Sequence, residues 1–191
     1  MIRSKDRKIY LQQLNTEHAR GLLDLRLRNH HYLQPFEPIR DASFFTVEAQ
    51  ELDIQSGIGE KDRVSSQLFG VFIEGTNELV GRVALTGIAR GPFQNANLGY
   101  FIGQEYQGNG YMTEAVRLCV RYAFEELGLH RVQAGVMPRN TPSLRVLEKV
   151  GFRREGLAQK YLCINGIWED HHLLAITQED WEGNRNTDRS L

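Results

Sequence analysis

The stretch from residue 95 to 137 constrains the fold more than any other. Met112, Ala115, Val116, Cys119, Val120, Ala123, Phe124 and Leu127 recur at three- and four-residue intervals, the spacing of one apolar helical face. Gly128 closes that run as a glycine just past the helix end. A strand-like segment stands on each side, residues 95–103 before it and 130–137 after it. A long helix between two strands gives a parallel pair. Hairpin signals govern the rest: GTN at 75–77 separates strands at 68–74 and 78–85, and NG at 165–166 separates strands at 157–164 and 168–176. A short strand at 9–14, helices at 17–29 and 46–57, and a helix opened by Thr141 as cap and Pro142 as first residue complete the order. The expected class is α/β (α+β), with a mixed sheet flanked by helices.

A chain of 191 residues with 41% hydrophobic and 25% charged content suits one globular domain, expected over 1–183, followed by a polar, disordered tail at 184–191. The net charge of −1 provides no basic field for nucleic acid or an anionic membrane. The N-terminus has no signal-peptide core, and two cysteines without CxxC spacing fit a reduced compartment, so a cytoplasmic location is expected. His30–His31 and His171–His172 are adjacent pairs that diverge on a helix or strand and cannot clasp one ion; no metal is expected.

The turn before the long helix reads QEYQGNG, residues 104–110. A glycine-rich strand-to-helix turn can aim successive backbone N–H groups into one concavity, and the helix start adds partial positive charge. The same glycines would also serve a plain tight turn. A dinucleotide fingerprint fails because Thr113 stands where its third glycine belongs, and no GxxxxGK[ST] run exists in the chain.

A third pattern fits. Gln107-x-x-Gly110 opening a helix is followed by Asn140-x-x-Ser143 and by EKVGF at 148–152. Together they resemble the acyl-CoA-binding core of the GNAT acetyltransferase superfamily. NHHYLQPFEP (29–38), LGYFIGQEYQGNGYMTEAV (98–116), HRVQAGVMPRNTPSLRVLEKVGFRREG (130–156) and YLCINGIWEDHHLLAI (161–176) resemble its Rim-type ribosomal-protein-alanine N-acetyltransferases, in family order.

The resemblance implies a single-domain GNAT fold, a mostly antiparallel mixed sheet of about seven strands splayed at its centre. It implies acetyl-CoA as cosubstrate. The pantetheine arm would lie along Tyr100, Phe101 and Ile102 and be bonded by Asn140; the pyrophosphate would lie on the amides of Gln107, Gly108, Asn109, Gly110, Tyr111, Met112 and Thr113. Leu147 stands where many superfamily members carry a tyrosine, and Ser143 is the implied substitute that assists the leaving thiolate. Asn97 replaces a frequent acidic residue and cannot take up a proton; Glu155, Asp170 and His171 are the alternatives as base. Phe36 and Trp168 are the expected acceptor contacts. The implied acceptor is a protein N-terminus, Ala or Ser, on a ribosomal protein, with the enzyme a monomer or homodimer. A small-molecule amine, or a non-catalytic acetyl-CoA-binding module, are the competing readings.

Overall fold

The structure, a computed structural model, describes residues 1–6, 8–56 and 65–188. Its strands are β1 (Ile2–Arg3), β2 (Ile9–Gln13), β3 (Ser66–Ile73), β4 (Leu79–Ala89), β5 (Asn95–Ile102), β6 (Arg131–Val136), β7 (Arg153–Ile164) and β8 (Ile167–Thr177). They form one eight-stranded sheet in the order β1-β2-β3-β4-β5-β6-β8-β7. The eighth strand is the two-residue β1, too short to leave a periodic signal in the sequence. Every neighbouring pair is antiparallel except β5 and β6. The helices are α1 (Ala19–Arg28), α2 (His30–Leu33), α3 (Val47–Ser56), α4 (Tyr111–Glu125), α5 (Thr141–Val150) and α6 (Gln178–Asp188). The one-turn α2 and a 3-10 turn at Gln34–Phe36 occupy what the two prolines suggested was a plain connection.

Strand alternation divides the apolar residues between two faces. On one face Val83, Leu85, Ala96 and Leu98 pack with Met112, Ala115, Cys119 and Ala123 of α4 and with Leu144, Leu147 and Val150 of α5. On the other, Tyr10, Leu14, Leu68 and Ala84 pack with Ala19 and Leu22 of α1 and Ile54 of α3. Burial pushes the Cys119 thiol pKa up, which leaves it a structural apolar group.

Two local expectations change. Asn140, not Thr141, caps α5: its side-chain oxygen accepts from the Ser143 N–H at 3.3 Å, which moves Thr141 and Pro142 inside the helix. The segment 184–191 was read as a disordered tail, yet α6 runs through Asp188; residues 189–191 lie outside the described ones. The reason is a reciprocal cap, with Asp180 Oδ2 accepting from the Thr177 N–H at 3.0 Å and Thr177 Oγ1 accepting from the Asp180 N–H at 3.4 Å. Trp181 of α6 is buried against Phe124. The hairpin at Asn165–Gly166 matches its sequence signal, with both residues at positive φ.

Two measurements check these forces. Trp181→Ala should cost about 3 kcal/mol in a urea titration, the usual scale for emptying a buried indole site. Glu155 is gripped by Arg131, a hydrogen bond that holds its carboxyl below the usual range. A lowered folded pKa stabilises above the unfolded value, roughly 4.3, and that contribution disappears as pH falls through the folded one. Glu155→Gln should therefore flatten the fall of stability below about pH 4.

Candidate active site

The site begins where the sheet stops pairing. β5 and β6 share only Asn95↔Arg131, Ala96↔Val132 and Asn97↔Gln133. Beyond them β5 continues to Ile102 and β6 to Val136 without facing each other. Backbone groups along those open edges lack a strand partner and can receive an extended ligand. At the fork itself, Gln133 Nε2 donates to Asn97 Oδ1 at 2.9 Å.

At the mouth of α4 the chain turns through Gly108 and Gly110 at φ 77° and 79°. Only glycine takes this left-handed region without strain, and a Cβ at either position would meet nothing within 4 Å, so the turn faces open space. The first helical bond runs from Glu114 N–H to the Gly110 carbonyl. The amides from Gly108 to Thr113 make no backbone hydrogen bond among the described residues. Asn109 braces the turn by donating to the Tyr106 and Gln107 carbonyls at 3.1 and 3.3 Å. Beside this mouth lies a cleft of about 220 Å³, walled by Asn109, Gly110, Tyr111 and Thr113 with Lys8, Arg117 and Lys149. Its two carboxylates, Asp6 and Glu114, are each paired with a cation. Unclaimed amides, a helix N-terminus and a cationic margin fit a diphosphate.

Across the gap, Ser143 on the first turn of α5 meets Tyr100 of β5. Their hydroxyls lie 2.8 Å apart, and Tyr100 also donates to the Ser143 carbonyl at 3.1 Å. Burial pushes the Tyr100 phenol pKa up, the Ser143 bond opposes it, and the hydroxyl stays protonated. Leu147, one turn later, is fully buried in the core. Asn140 spends its carbonyl oxygen on the α5 cap and retains its N–H groups as donors.

The other wall comes from the segment 29–38. Asn29 Oδ1 accepts from the Gln104 N–H at 2.8 Å, and the Tyr32 hydroxyl bonds Gln107. The glycine turn is thus tied to the α1–α2 corner. Arg139 Nη2 donates to the Pro35 carbonyl at 3.0 Å while its other nitrogen pairs with Glu169 at 2.6 Å. The Asn165 N–H donates to the Glu37 carbonyl at 3.0 Å. Arg26 is buried between the rings of Phe44 and Phe101, 5.1 and 4.7 Å from their centres, and pairs with Glu37 at 3.3 Å. Burial lowers its pKa, and Arg82 lowers it further. Sequence reasoning passed over Arg26, Asn29 and Arg139, whose partners are distant in the chain. The expected contacts Phe36 and Trp168 sit on these two lips: Phe36 is half-buried, and Trp168 is 63% exposed at a second shallow cleft with Pro138 and Arg139.

An opened parallel pair beside an amide-lined helix mouth matches the GNAT acetyltransferase domain, whose family model covers residues 8–153. The chain belongs to the GNAT acetyltransferase family. It is 45% identical to the Bacillus subtilis protein named "Probable N-acetyltransferase YjcK", over 93% of this chain and 98% of that one. It is 34% identical to the Escherichia coli [Ribosomal protein uS5]-alanine N-acetyltransferase, over 93% and 92%. The solved structure of Mycobacterium smegmatis RimJ in complex with CoA-disulfide superposes with a TM-score of 0.84 at 31% identity, over 90% of this chain and 83% of that one. As a GNAT protein, this chain is an acetyl-transferring enzyme that uses acetyl-CoA. No helix among its described residues is long and apolar enough to cross a membrane.

Tyr100→Phe keeps the ring and deletes the hydroxyl that holds Ser143. It should cost about 1 kcal/mol in chemical denaturation, the net value of one buried hydrogen bond.

Proposed function

We propose that this enzyme acetylates the N-terminal amine of a protein, Ala or Ser at the first position, with a ribosomal protein as the acceptor. Acetyl-CoA supplies the activated acetyl group, and transfer to the amine is direct. Full-length likeness to a ribosomal-protein-alanine N-acetyltransferase supports the protein acceptor.

The observation that carries the choice of amine is the charge balance of the acceptor side. Glu37 is paired with Arg26 and Glu169 with Arg139, which leaves Asp170, accepting from the Lys160 N–H at 2.8 Å, as the one of the three without an ion pair among the described residues. A polyamine needs carboxylates left over for its second and third cations, whereas a single amine does not. An α-amine, with pKa about 7.7–8.0, is also roughly a tenth neutral near pH 7, while a lysine amine at ~10.4 is almost wholly charged. A fold shared by many acetyltransferases does not choose between these acceptors; the side chains do.

Each part of the chain then has a role. The amides of Gly108 to Thr113 hold the pyrophosphate, the expected Gln107 N–H being spent on the Gln104 carbonyl at 3.3 Å, and the open edges at Tyr100, Phe101 and Ile102 receive the pantetheine arm. The N–H groups of Asn140 bond that arm. A backbone N–H near Tyr100 and Phe101 stabilises the developing oxyanion. Ser143, set by Tyr100, donates a hydrogen bond to the departing sulfur. Phe36 and Trp168 flank the incoming peptide. Loss of Ser143 as Ala should lower kcat about 100-fold toward an N-terminal Ala peptide, with CoA affinity by calorimetry changed less than twofold. Faster acetylation of spermidine than of any N-terminal peptide would reverse the assignment.

A further inference from the structure

The reaction leaves one role without a residue. The attacking ammonium must shed a proton, and the Asn97 amide at the fork cannot accept one. The acceptor face of the gap offers another group. Gly135 lies two residues beyond Gln133, the last β6 residue paired with β5, and is exposed. A Cβ there would sit 3.5 Å from Tyr161 Cε1 and 3.6 Å from His171 Cδ2, so the missing side chain leaves a notch beside both rings.

His171 is 3% exposed, its ring 5.7 Å from that of Tyr161. Its Nδ1 lies 3.0 Å from the Glu169 carbonyl, which can only accept, so Nδ1 carries the hydrogen. Nε2 is then left with its lone pair, on the Cδ2 side of the ring that borders Gly135, and makes no hydrogen bond among the described residues. Register fixes the face: His171 and Leu173 alternate with Leu174 and Ile176, which pack toward α4 and α5. Tyr100 and Ser143 belong to that α4–α5 side. The imidazole and the serine therefore flank the open gap from opposite faces, as an attacking amine and a departing thiolate require.

We propose that His171 Nε2 takes up the proton of the attacking amine, relayed by one water seated over Gly135. The assignment rests on the acetyl-transfer reading above. One proton of the ammonium passes through the water to Nε2 and from the imidazolium to solvent, which frees the nitrogen lone pair. That lone pair forms the N–C bond as the C–S bond breaks, and the second proton shed by the nitrogen leaves to solvent by the same water and imidazole. The thiolate, hydrogen-bonded by Ser143, is protonated from solvent through that hydroxyl. Imidazole suits such work near neutrality. Of the charged and titratable groups around it, Tyr161 of β7 is the one in ring contact. Glu169 and Asp170 on its own strand are engaged by Arg139 and the Lys160 N–H, and β6 presents the chargeless Gly135.

The test compares kcat/KM on an N-terminal Ala peptide from pH 6 to 9 for the wild type, His171→Asn and Gly135→Ala. Asparagine keeps an N–H near the place of Nδ1–H and has no basic nitrogen. Alanine at 135 fills the notch at ordinary contact distances and leaves the imidazole in place. Each variant should lose about 100-fold at pH 7, with CoA binding by calorimetry unchanged, and the loss should shrink above about pH 8 as the amine becomes neutral by itself. Wild-type rates in either variant, or a loss equal at every pH, overturn the role of His171. If His171→Asn lowers the thermal midpoint, Gly135→Ala decides alone. A wild type that binds CoA and acetylates no peptide overturns the proposed function, and this inference with it.

Discussion

Three residue pairs hold β5 to β6, and the geometry of the candidate site follows from their ending where they do. A parallel pair paired along its whole length would satisfy its own backbone and leave nothing for a ligand. Here the pairing stops at Asn97↔Gln133, and the Gln133–Asn97 side-chain bond pins the fork. Beside the gap α4 and α5 pack on one face of the sheet, and there Tyr100 reaches across to Ser143. The opening is a built feature of the core rather than a weak point in it.

Three kinds of element surround that gap. Unclaimed backbone amides lie at the α4 mouth, where the helix dipole and the nearby Lys8, Arg117 and Lys149 favour an anion. Strand β5 and the capped start of α5 carry Tyr100, Ser143 and Asn140, held by hydrogen bonds at 2.8 and 3.3 Å. The facing wall is assembled from a one-turn helix, a 3-10 turn and a hairpin tip, and arginines join them. Asn29 and Tyr32 tie this assembly to the glycine turn, so that wall and the α4 mouth share supports.

Much of this was legible in the sequence, for local reasons. The apolar spacing of α4 predicts both its length and its buried face, and the glycines before it predict the turn, whose φ values only glycine adopts freely. The Asn165–Gly166 hairpin follows from turn chemistry alone. Where local signals competed, the reading slipped. Asn140 and Thr141 can both cap a helix, and a polar segment after Trp181 hid a helix whose cap is spelled by Thr177 and Asp180. The resemblance named both Ser143 and Tyr100, the latter for its backbone, but not the 2.8 Å meeting of their hydroxyls.

What the sequence by itself determined is the set of elements and their order, because caps, turns and periodicity act over a few residues. What only the tertiary structure decided is which side chains meet. Tyr100 lies 43 positions from Ser143, Asn29 75 from Gln104, and Pro35 104 from Arg139. The side of the gap that His171 faces was decided the same way, by the register of β8 on β6. Contacts of that separation arise from strand pairing and the packing of helices on two faces, and no local pattern in the chain records them.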